Sequence, residues 1–254
     1  MRLGIEPRRF QRMKETAMSE ENFSQIAPRL LDVQSRLQEA CRRAGREVVL
    51  MAVSKTFPAE AVEAAAAAGQ RVFGENYAQE GCAKIEALKA SHPELALQWH
   101  FIGPLQANKT RMVAEHFDWV DSIDRLKIAQ RLNDQRPEGL APLNVLIEVN
   151  IDAEDTKSGV APAALEELIA EVKKLPRLRL RGLMTIPAPA ASKEEQMKPL
   201  RAMKKLFDEL APRYGLDVLS MGMSADMVAA VEAGSTMVRV GSAIFGARTY
   251  PNKA

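Results

Sequence analysis

A lysine ends the first strongly apolar stretch of the sequence. Residues 48–54 form a β-branched and apolar run with the length of a buried strand, and Lys55 follows directly. In folds built on parallel sheets, ligands bind at the carboxyl ends of the strands, which is where this amine would lie. It could be a solvated lysine whose stem alone is packed, or it could lie in a crowded, partly desolvated mouth, where the neutral amine can attack an aldehyde. The stretch alone favours the solvated lysine.

Two glycine-containing segments near the end of the sequence could bind an anion. Gly222-Met223-Ser224 and Gly241-Ser242 follow apolar runs that would be the seventh and eighth strands. In eight-stranded α/β barrels the loops after these strands often form a phosphate site, with glycine for close approach and hydroxyls as donors. Ser224 could instead simply cap the helix that follows. Either loop alone is a weak signal, but two loops after the correct strands favour phosphate binding.

An arginine lies inside the last apolar run. Arg239 stands between Val238 and Val240, so its side chain is expected to point into the mouth of the fold. A buried guanidinium needs an acceptor. The acceptor could be an internal carboxylate, for example Glu148 on the fifth strand, or it could be a ligand.

A regular alternation of elements would position these residues. One leading amphipathic helix over 22–44 is followed by eight alternations of a short apolar run with a helical segment. Strands are predicted over 48–54, 71–74, 97–102, 117–122, 142–150, 178–184, 216–221 and 236–240. Helices are predicted to begin at Asp124, as a cap, and near Ala225, among others. Eight units in about 200 residues predict an α/β fold, a single closed (β/α)8 TIM-type barrel with a leading N-terminal helix.

Composition restricts the class of protein. Thirty-five lysines and arginines against 33 aspartates and glutamates give a net charge of +2, which argues against a nucleic-acid or membrane-surface partner. No apolar run approaches membrane-spanning length. The two cysteines and three histidines lack metal-ligand spacing, and the thiols are expected to be reduced in a cytoplasm. Residues 1–17 are expected to be a disordered N-terminal extension, and residues 18–254 one domain.

Seven segments, in order between about Asn22 and Arg248, resemble one family. They are AVSKT (52–56), FGENY (73–77), HFIG (100–103), QANK (106–109), RGLM (181–184), GMS (222–224) and VRVGSAIFG (238–246). They are similar to segments of the pyridoxal phosphate homeostasis proteins, the YggS/PROSC-type members of the alanine-racemase N-terminal-domain superfamily. The resemblance implies an alanine-racemase N-terminal-domain-like barrel that carries pyridoxal 5′-phosphate (PLP), the vitamin B6 cofactor, as a Schiff base.

The resemblance also implies a role for each matching residue. Lys55 would be the Schiff-base lysine, Asn76 would lie near the ring hydroxyl, and Met223 would line the pocket. Arg239 would face the pyridine nitrogen, where a permanent cation disfavours protonation and makes the ring a weaker electron sink. The phosphate would be held by Ser224, Gly241 and Ser242, the last at a position where threonine is common. Two further candidates lie in family motifs: His100, and Lys157 as a second attachment site.

The resemblance implies a protein of intracellular PLP homeostasis, which buffers PLP and delivers it to apo-enzymes without robust catalysis and so affects amino-acid and keto-acid metabolism. The alternative is a PLP-dependent amino-acid racemase or a related small enzyme. Racemisation needs an acid/base group on each face of the ring, and Lys55 can serve only one. The family's racemases resemble a barrel with an added β-domain that supplies a tyrosine from a partner subunit. Because this chain ends shortly after the barrel, the carrier is favoured.

A third hypothesis is an aldolase that uses Lys55 without a bound cofactor. It is compatible with the barrel and with the two phosphate-binding loops. The expected partners are PLP and, through transient contact, apo PLP-dependent enzymes; the chain is expected to be a monomer.

Overall fold

Short strands rich in apolar residues alternate with helices along the chain. The computed structural model describes residues 20–152 and 158–247. The strands are β1 Val49–Val53, β2 Val72–Glu75, β3 Gln98–Phe101, β4 Trp119–Ile123, β5 Leu143–Glu148, β6 Leu178–Met184, β7 Val218–Ser220 and β8 Met237–Val240. Each strand pairs with the next, and β8 pairs in parallel with β1, which closes the barrel. The predicted (β/α)8 TIM-type barrel is therefore confirmed.

The crossover helices surround the barrel. Within the described residues they are α1 Glu20–Ser24, α2 Ile26–Ala44, α3 Ala59–Ala67, α4 Ala78–Ser91, α5 Thr110–His116, α6 Leu126–Gln135, α7 Pro162–Val172, α8 Lys193–Tyr214, α9 Met227–Ala233 and α10 Ser242–Phe245. The predicted leading helix is α2, which buries one face and ends at Gly45 in the left-handed conformation. The predicted disordered extension, residues 1–17, lies outside the described residues and stays a prediction.

Two helix starts were predicted wrongly. The helix α6 begins at Leu126, and Asp124 does not cap it; its carboxylate pairs with the neighbouring Arg125 instead. The helix α9 begins at Met227 rather than near Ala225, because the loop before it folds back on itself. In that loop the Met223 N–H donates to the Asp226 carboxylate at 2.6 Å, and Asp226 occupies the N-cap position. Ser224 therefore does not cap α9.

Apolar side chains fill two separate layers. The interior of the barrel holds a cluster formed by Met51, Val53, Ile102, Trp119, Leu146, Met184, Val218 and Met237. A larger cluster lies between the outer face of the strands and the helices, and includes Phe73, Trp99 and Phe101. Because the strands are buried on both faces, most of their residues are apolar. The strands can therefore be recognised in the sequence as apolar runs.

The backbone after β3 packs directly against the backbone after β2. A Cβ atom on Gly103 would lie 2.2 Å from the carbonyl oxygen of Asn76 and 2.8 Å from its Cα. Backbone atoms cannot yield as a flexible side chain can, so only glycine allows this contact. The contact fixes the loop that carries Asn76.

We predict that Gly103→Ala lowers the free energy of unfolding by about 2 kcal/mol or more, because the two loops must separate. Urea denaturation followed by circular dichroism measures this change. The matched control is Gly139→Ala, where a Cβ meets nothing within 4 Å; it should change the free energy by less than about 0.5 kcal/mol. Equal effects of the two substitutions would contradict the prediction.

Candidate functional site

Four adjacent strands end at one part of the barrel rim. Because β7 pairs with β8, β8 with β1, and β1 with β2, the loops that follow them are neighbours around the rim. We call these segments the Lys55 rim: residues 221–226, 241–246 (which include α10), 54–57 and 76–77. It brings together six of the predicted site residues: Lys55, Asn76, Met223, Ser224, Gly241 and Ser242.

The loop after β8 lies against the strand that carries the lysine. A Cβ atom on Gly241 would lie 3.1 Å from the carbonyl oxygen of Val53, the last residue of β1. The absence of a side chain at this position lets the two loops approach closely. Ser242, the next residue, is exposed, and Ser224 in the β7 loop is half-buried. Two hydroxyls and a glycine backbone thus lie on the same rim as Lys55, and this set of donors suits an anion.

Lys55 lies in a tight turn at the end of β1. It is partly buried, and it continues the alternation of Met51 and Val53, which both point into the barrel. The Phe57 N–H donates to the Ser54 carbonyl at 3.1 Å and closes the turn. Thr56, its third residue, has a φ of 68°, a position that usually requires glycine. A left-handed backbone costs a residue with a Cβ roughly 1–2 kcal/mol.

Behind this turn lies a buried ion cluster, formed by Ser54, Glu75, Glu80 and Lys84 and here called the Lys84 cluster. The Lys84 ammonium donates to the Ser54 carbonyl oxygen at 2.8 Å, to Glu75 Oε1 at 2.8 Å and to Glu80 Oε1 at 2.7 Å. The Ser54 hydroxyl also donates to Glu75 Oε1, at 2.7 Å. Burial raises the pKa of the Glu75 carboxyl, and the Lys84 cation acts against that rise. Nothing in the sequence indicated that these four residues would form a cluster, although Glu75 belongs to the FGENY motif.

Arg239 is buried in the barrel, as its position between two valines predicts. Its guanidinium donates to the Ser220 hydroxyl at 2.8 Å and to the Thr185 carbonyl oxygen at 2.8 Å. Among ion pairs within the described residues, none joins Arg239 to Glu148, the partner considered from the sequence. Burial lowers the pKa of the guanidinium, and three carboxylates act in the opposite direction: Asp121, Asp226 and Glu148. Arginine remains charged in proteins, so Arg239 supplies a fixed cation close to the rim.

Asn76 holds a polar atom that needs a partner. In the part of the chain that the structure describes, the Asn76 Oδ1 atom is buried and accepts no hydrogen bond. A buried acceptor without a donor costs about 1–3 kcal/mol, so native proteins rarely keep one without a reason. Because Asn76 lies at the rim, a ligand that donates a hydrogen bond would remove this cost.

One of the remaining two predicted residues, His100, is not part of the Lys55 rim. His100 is fully buried in the barrel interior; its Nδ1 lies 3.0 Å from Asp121 Oδ1 and its Nε2 lies 3.3 Å from Gln98 Oε1. Its ring stacks on Trp119 with a centroid distance of 4.8 Å. These contacts give His100 a role in packing the interior. Lys157 lies outside the described residues, and its predicted role stays a prediction.

Glu148, at the carboxyl end of β5, is a titratable group that the sequence suggested only as an ion-pair partner. Burial raises the pKa of its carboxyl from 4.5 to about 7; Asp124 adds to the rise and Arg239 opposes it. The carboxyl can therefore keep its proton near neutral pH. This state could not be read from the sequence, because it depends on burial between strands.

Two features of other binding proteins are absent from residues 20–152 and 158–247. These residues contain no group of three or more histidine, cysteine, aspartate or glutamate side chains placed to hold a metal ion. None of their helices is long and apolar enough to cross a lipid bilayer.

The fold and the rim together define a class: (β/α)8 barrel proteins with a lysine and two glycine- and serine-containing segments at the carboxyl ends of the strands. The family model for the N-terminal domain of alanine racemase matches residues 29–249. The pyridoxal phosphate homeostasis protein of Escherichia coli (strain K12) is 56% identical over 238 residues, 91% of this chain and 100% of the relative. The homeostasis protein of Pseudomonas aeruginosa is 54% identical over 231 residues, which cover 90% of this chain and 98% of that relative. The chain belongs to the pyridoxal phosphate homeostasis family of alanine racemase N-terminal-domain proteins.

Solved structures agree with this assignment. PipY of Synechococcus elongatus, solved with PLP bound, superposes with a TM-score of 0.76 at 36% identity, over 87% of this chain and 100% of PipY. Alanine racemase of Corynebacterium glutamicum superposes with a TM-score of 0.66 at 19% identity, over 91% of this chain and 63% of the racemase. At that identity the racemase shows the shared fold alone.

We predict that Glu148→Gln removes a pH-dependent loss of stability. Between about pH 4.5 and pH 7 the folded wild-type protein binds a proton that the unfolded chain has lost, so its stability falls as the pH rises through this window. Glutamine does not titrate. Relative to the wild type, the variant should therefore gain up to about 3 kcal/mol between the acid and alkaline ends of the window.

Urea denaturation across this pH range measures the gain. Glu138→Gln is the control, because that side chain is 92% exposed and should leave the pH profile as it is. Parallel profiles for Glu148→Gln and the wild type would contradict the prediction.

Proposed function

We propose that this protein binds PLP at the Lys55 rim and serves PLP homeostasis, by buffering the cofactor and delivering it to apo-enzymes in the cytoplasm. The observation that carries the proposal is the close approach of Gly241 to the end of β1, which puts an anion-binding loop beside the strand that ends in Lys55. A ligand with both an aldehyde and a phosphate needs these two features on one rim. The relatives named for PLP homeostasis, and PipY with PLP bound, support the same ligand.

The residues of the rim fit the chemical groups of PLP. PLP supplies, when bound, an aldehyde that condenses with an amine and releases water. Lys55 provides the amine, and the unpartnered Asn76 Oδ1 can accept a hydrogen bond from the ring hydroxyl. Ser224, Gly241 and Ser242 would donate to the phosphate. Met223, which is 37% exposed, would cover part of the ring.

Arg239 supports retention of the cofactor rather than chemistry on it. Its hydrogen bonds to Ser220 and Thr185 fix the guanidinium in one position. A fixed cation facing the pyridine nitrogen keeps that nitrogen unprotonated, which reduces the capacity of the ring to accept electrons. Carbanion formation on a bound amino acid would then be slow, as suits a carrier.

A second proton-transfer group is also hard to find among the described tyrosines. Tyr77 follows Asn76 on the rim, but it is 53% exposed. Tyr214 is the last residue of α8, and its hydroxyl donates to the Glu166 carboxylate on α7. A general base must be held within hydrogen-bond reach of the proton that it removes, and neither tyrosine is enclosed in this way. We therefore propose a carrier without robust catalysis, with the racemase as the alternative.

The environment of the thiols supports a reducing compartment. Cys41 and Cys82 are both free. Burial raises the pKa of the Cys82 thiol to about 11, and Glu86 and Glu115 add to the rise. Free cysteines that persist as thiols suit a cytoplasm. Within it we propose a monomer that contacts apo PLP-dependent enzymes transiently.

We predict that Lys55→Ala abolishes the visible absorbance of the protein–PLP complex, because the covalent link to the amine cannot form. Borohydride reduction followed by peptide mapping should label Lys55 in the wild type and give no label in the variant. The free energy of unfolding should change by less than about 1 kcal/mol, since the side chain lies at the rim.

The control for this experiment is Lys109→Ala, a partly buried lysine before α5 that lies outside the Lys55 rim. It should retain both the absorbance and the label. A labelled lysine elsewhere in the wild type would overturn the proposed site, and a protein that binds no PLP would overturn the proposed function and favour an aldolase.

We predict that exchange of the α-proton is slow when the PLP-loaded protein is incubated with a panel of amino acids in heavy water. The physical reasons are the cation at Arg239 and the exposure of Tyr77, the described tyrosine on the rim. Nuclear magnetic resonance of the amino acids measures the exchange, with free PLP as the control. Exchange at rates typical of enzymes, about 1 per second or faster, would establish the racemase alternative instead.

A further inference from the structure

The turn that carries Lys55 has an unusual backbone. Among the described residues other than glycine, Thr56 alone has a positive φ. A β-branched residue in this region is an outlier, and such a conformation persists only where the surrounding structure enforces it. Strained residues of this kind concentrate at functional sites. A neighbouring group must therefore enforce the conformation of Thr56.

Glu80 is that group. Its Oε1 atom accepts the Thr56 N–H at 2.6 Å and the Lys84 ammonium at 2.7 Å. Lys84 in turn donates to the Ser54 carbonyl oxygen at 2.8 Å. The Lys84 cluster thus binds the backbone of the residue before Lys55 and, through Glu80, the backbone of the residue after it.

The cost of the cluster indicates that it does more than stabilise the fold. The side chains of Glu75 and Lys84 are 0% and 7% exposed. The free energy needed to remove two such charges from water is about as large as the free energy of their attraction. Apolar residues of the same size would pack this space at no such cost. Charges do what apolar residues cannot: they hold the Ser54 carbonyl and the Thr56 N–H in fixed directions.

The cluster also connects the two neighbouring parts of the rim. Glu75 is the last residue of β2, and Asn76 follows it directly. The Ser54 hydroxyl donates to Glu75, and the Ser54 N–H donates to the Gly74 carbonyl at 3.0 Å. The positions of Lys55 and Asn76 are therefore set by the same group of contacts.

We propose that Glu80, held by Lys84, is a positioning residue: it fixes the turn over residues 54–57 so that the Lys55 amine meets an incoming aldehyde in a reactive orientation. This inference rests on the proposed function. The covalent step is unchanged: the Lys55 nitrogen bonds to the aldehyde carbon, and the carbonyl oxygen leaves as water. Because orientation contributes to the rate of such a step, a loosened turn slows it.

Glu80→Ala is the variant that tests the proposal. The Glu80 side chain is 31% exposed, so its removal leaves the fold in place, whereas loss of Lys84 would leave Glu75 buried without its cation. We expect the rise of the visible absorbance, after apo-protein is mixed with PLP, to be roughly tenfold slower than in the wild type. Glu80→Gln keeps an oxygen acceptor for the Thr56 N–H and should stay within about threefold.

Two further variants separate positioning from general destabilisation. Adding Thr56→Gly to Glu80→Ala should restore most of the rate, because glycine adopts a positive φ without strain. Glu86→Ala is the matched control: Glu86 lies on the same helix and pairs with His116 at 2.7 Å, away from the turn. It should react at the wild-type rate.

A second measurement needs no cofactor. Hydrogen exchange of the Thr56 amide in the apo-protein should be about tenfold faster in Glu80→Ala than in the wild type or in Glu86→Ala. The inference would be overturned if Glu80→Ala attached PLP and exchanged the Thr56 amide at the wild-type rates. It would also be overturned if PLP attachment were slow in Glu80→Ala and adding Thr56→Gly did not restore it. A label on another lysine of the wild type would overturn the proposed site instead, and failure to bind PLP would overturn the proposed function; in both cases the exchange measurement would still test whether Glu80 fixes the turn.

Discussion

The hydrogen bonds between β1 and β8 close the barrel and make the first and last strands neighbours at the Lys55 rim. Four residues of β1, from Val49 to Ala52, are in register with Met237 to Val240 of β8. In an open sheet of eight strands these two would be opposite edges, and their loops would be far apart. Closure makes them neighbours, so the lysine after the first strand and the glycine-serine loop after the last become parts of one site. Closure thus brings together residues that are 186 positions apart, Lys55 and Gly241.

The polar groups inside the barrel show which part of it is prepared for a ligand. Arg239 is bonded to Ser220 and Thr185, and His100 is bonded to Asp121, so both are satisfied within the protein. Asn76 Oδ1 is buried without a partner. Buried polar atoms are costly unless they are paired, and the rim is the place where a bound molecule can provide the pair. The described rim thus keeps one buried acceptor, Asn76 Oδ1, that a bound molecule can satisfy.

The sequence predicted the barrel because its signal is local and repeated. Apolar runs and helical segments alternate regularly, and their order alone implies a parallel, closed sheet. The same reasoning located Lys55 and Arg239, since each is a charged residue at or within an apolar run. It failed for Asp124 as a cap and for the start of α9, which is Met227 rather than a residue near Ala225, because a helix end depends on one or two residues of backbone geometry. It could not find the link between Lys84 and Ser54, which are 30 positions apart and meet only after folding.

The proposed carrier needs a fixed amine and an exit for the cofactor. The turn with Lys55 is fixed from behind, by charges that are buried in the Lys84 cluster. In front, Ser242 is exposed and Met223 is more than a third exposed, so the segments after β7 and β8 are accessible to water in the described part of the rim. An enzyme gains from a closed site, since excluding water strengthens its electrostatic interactions and protects reactive intermediates. The rigid turn and the exposed loops support the proposal that the protein captures and releases PLP rather than transforming it.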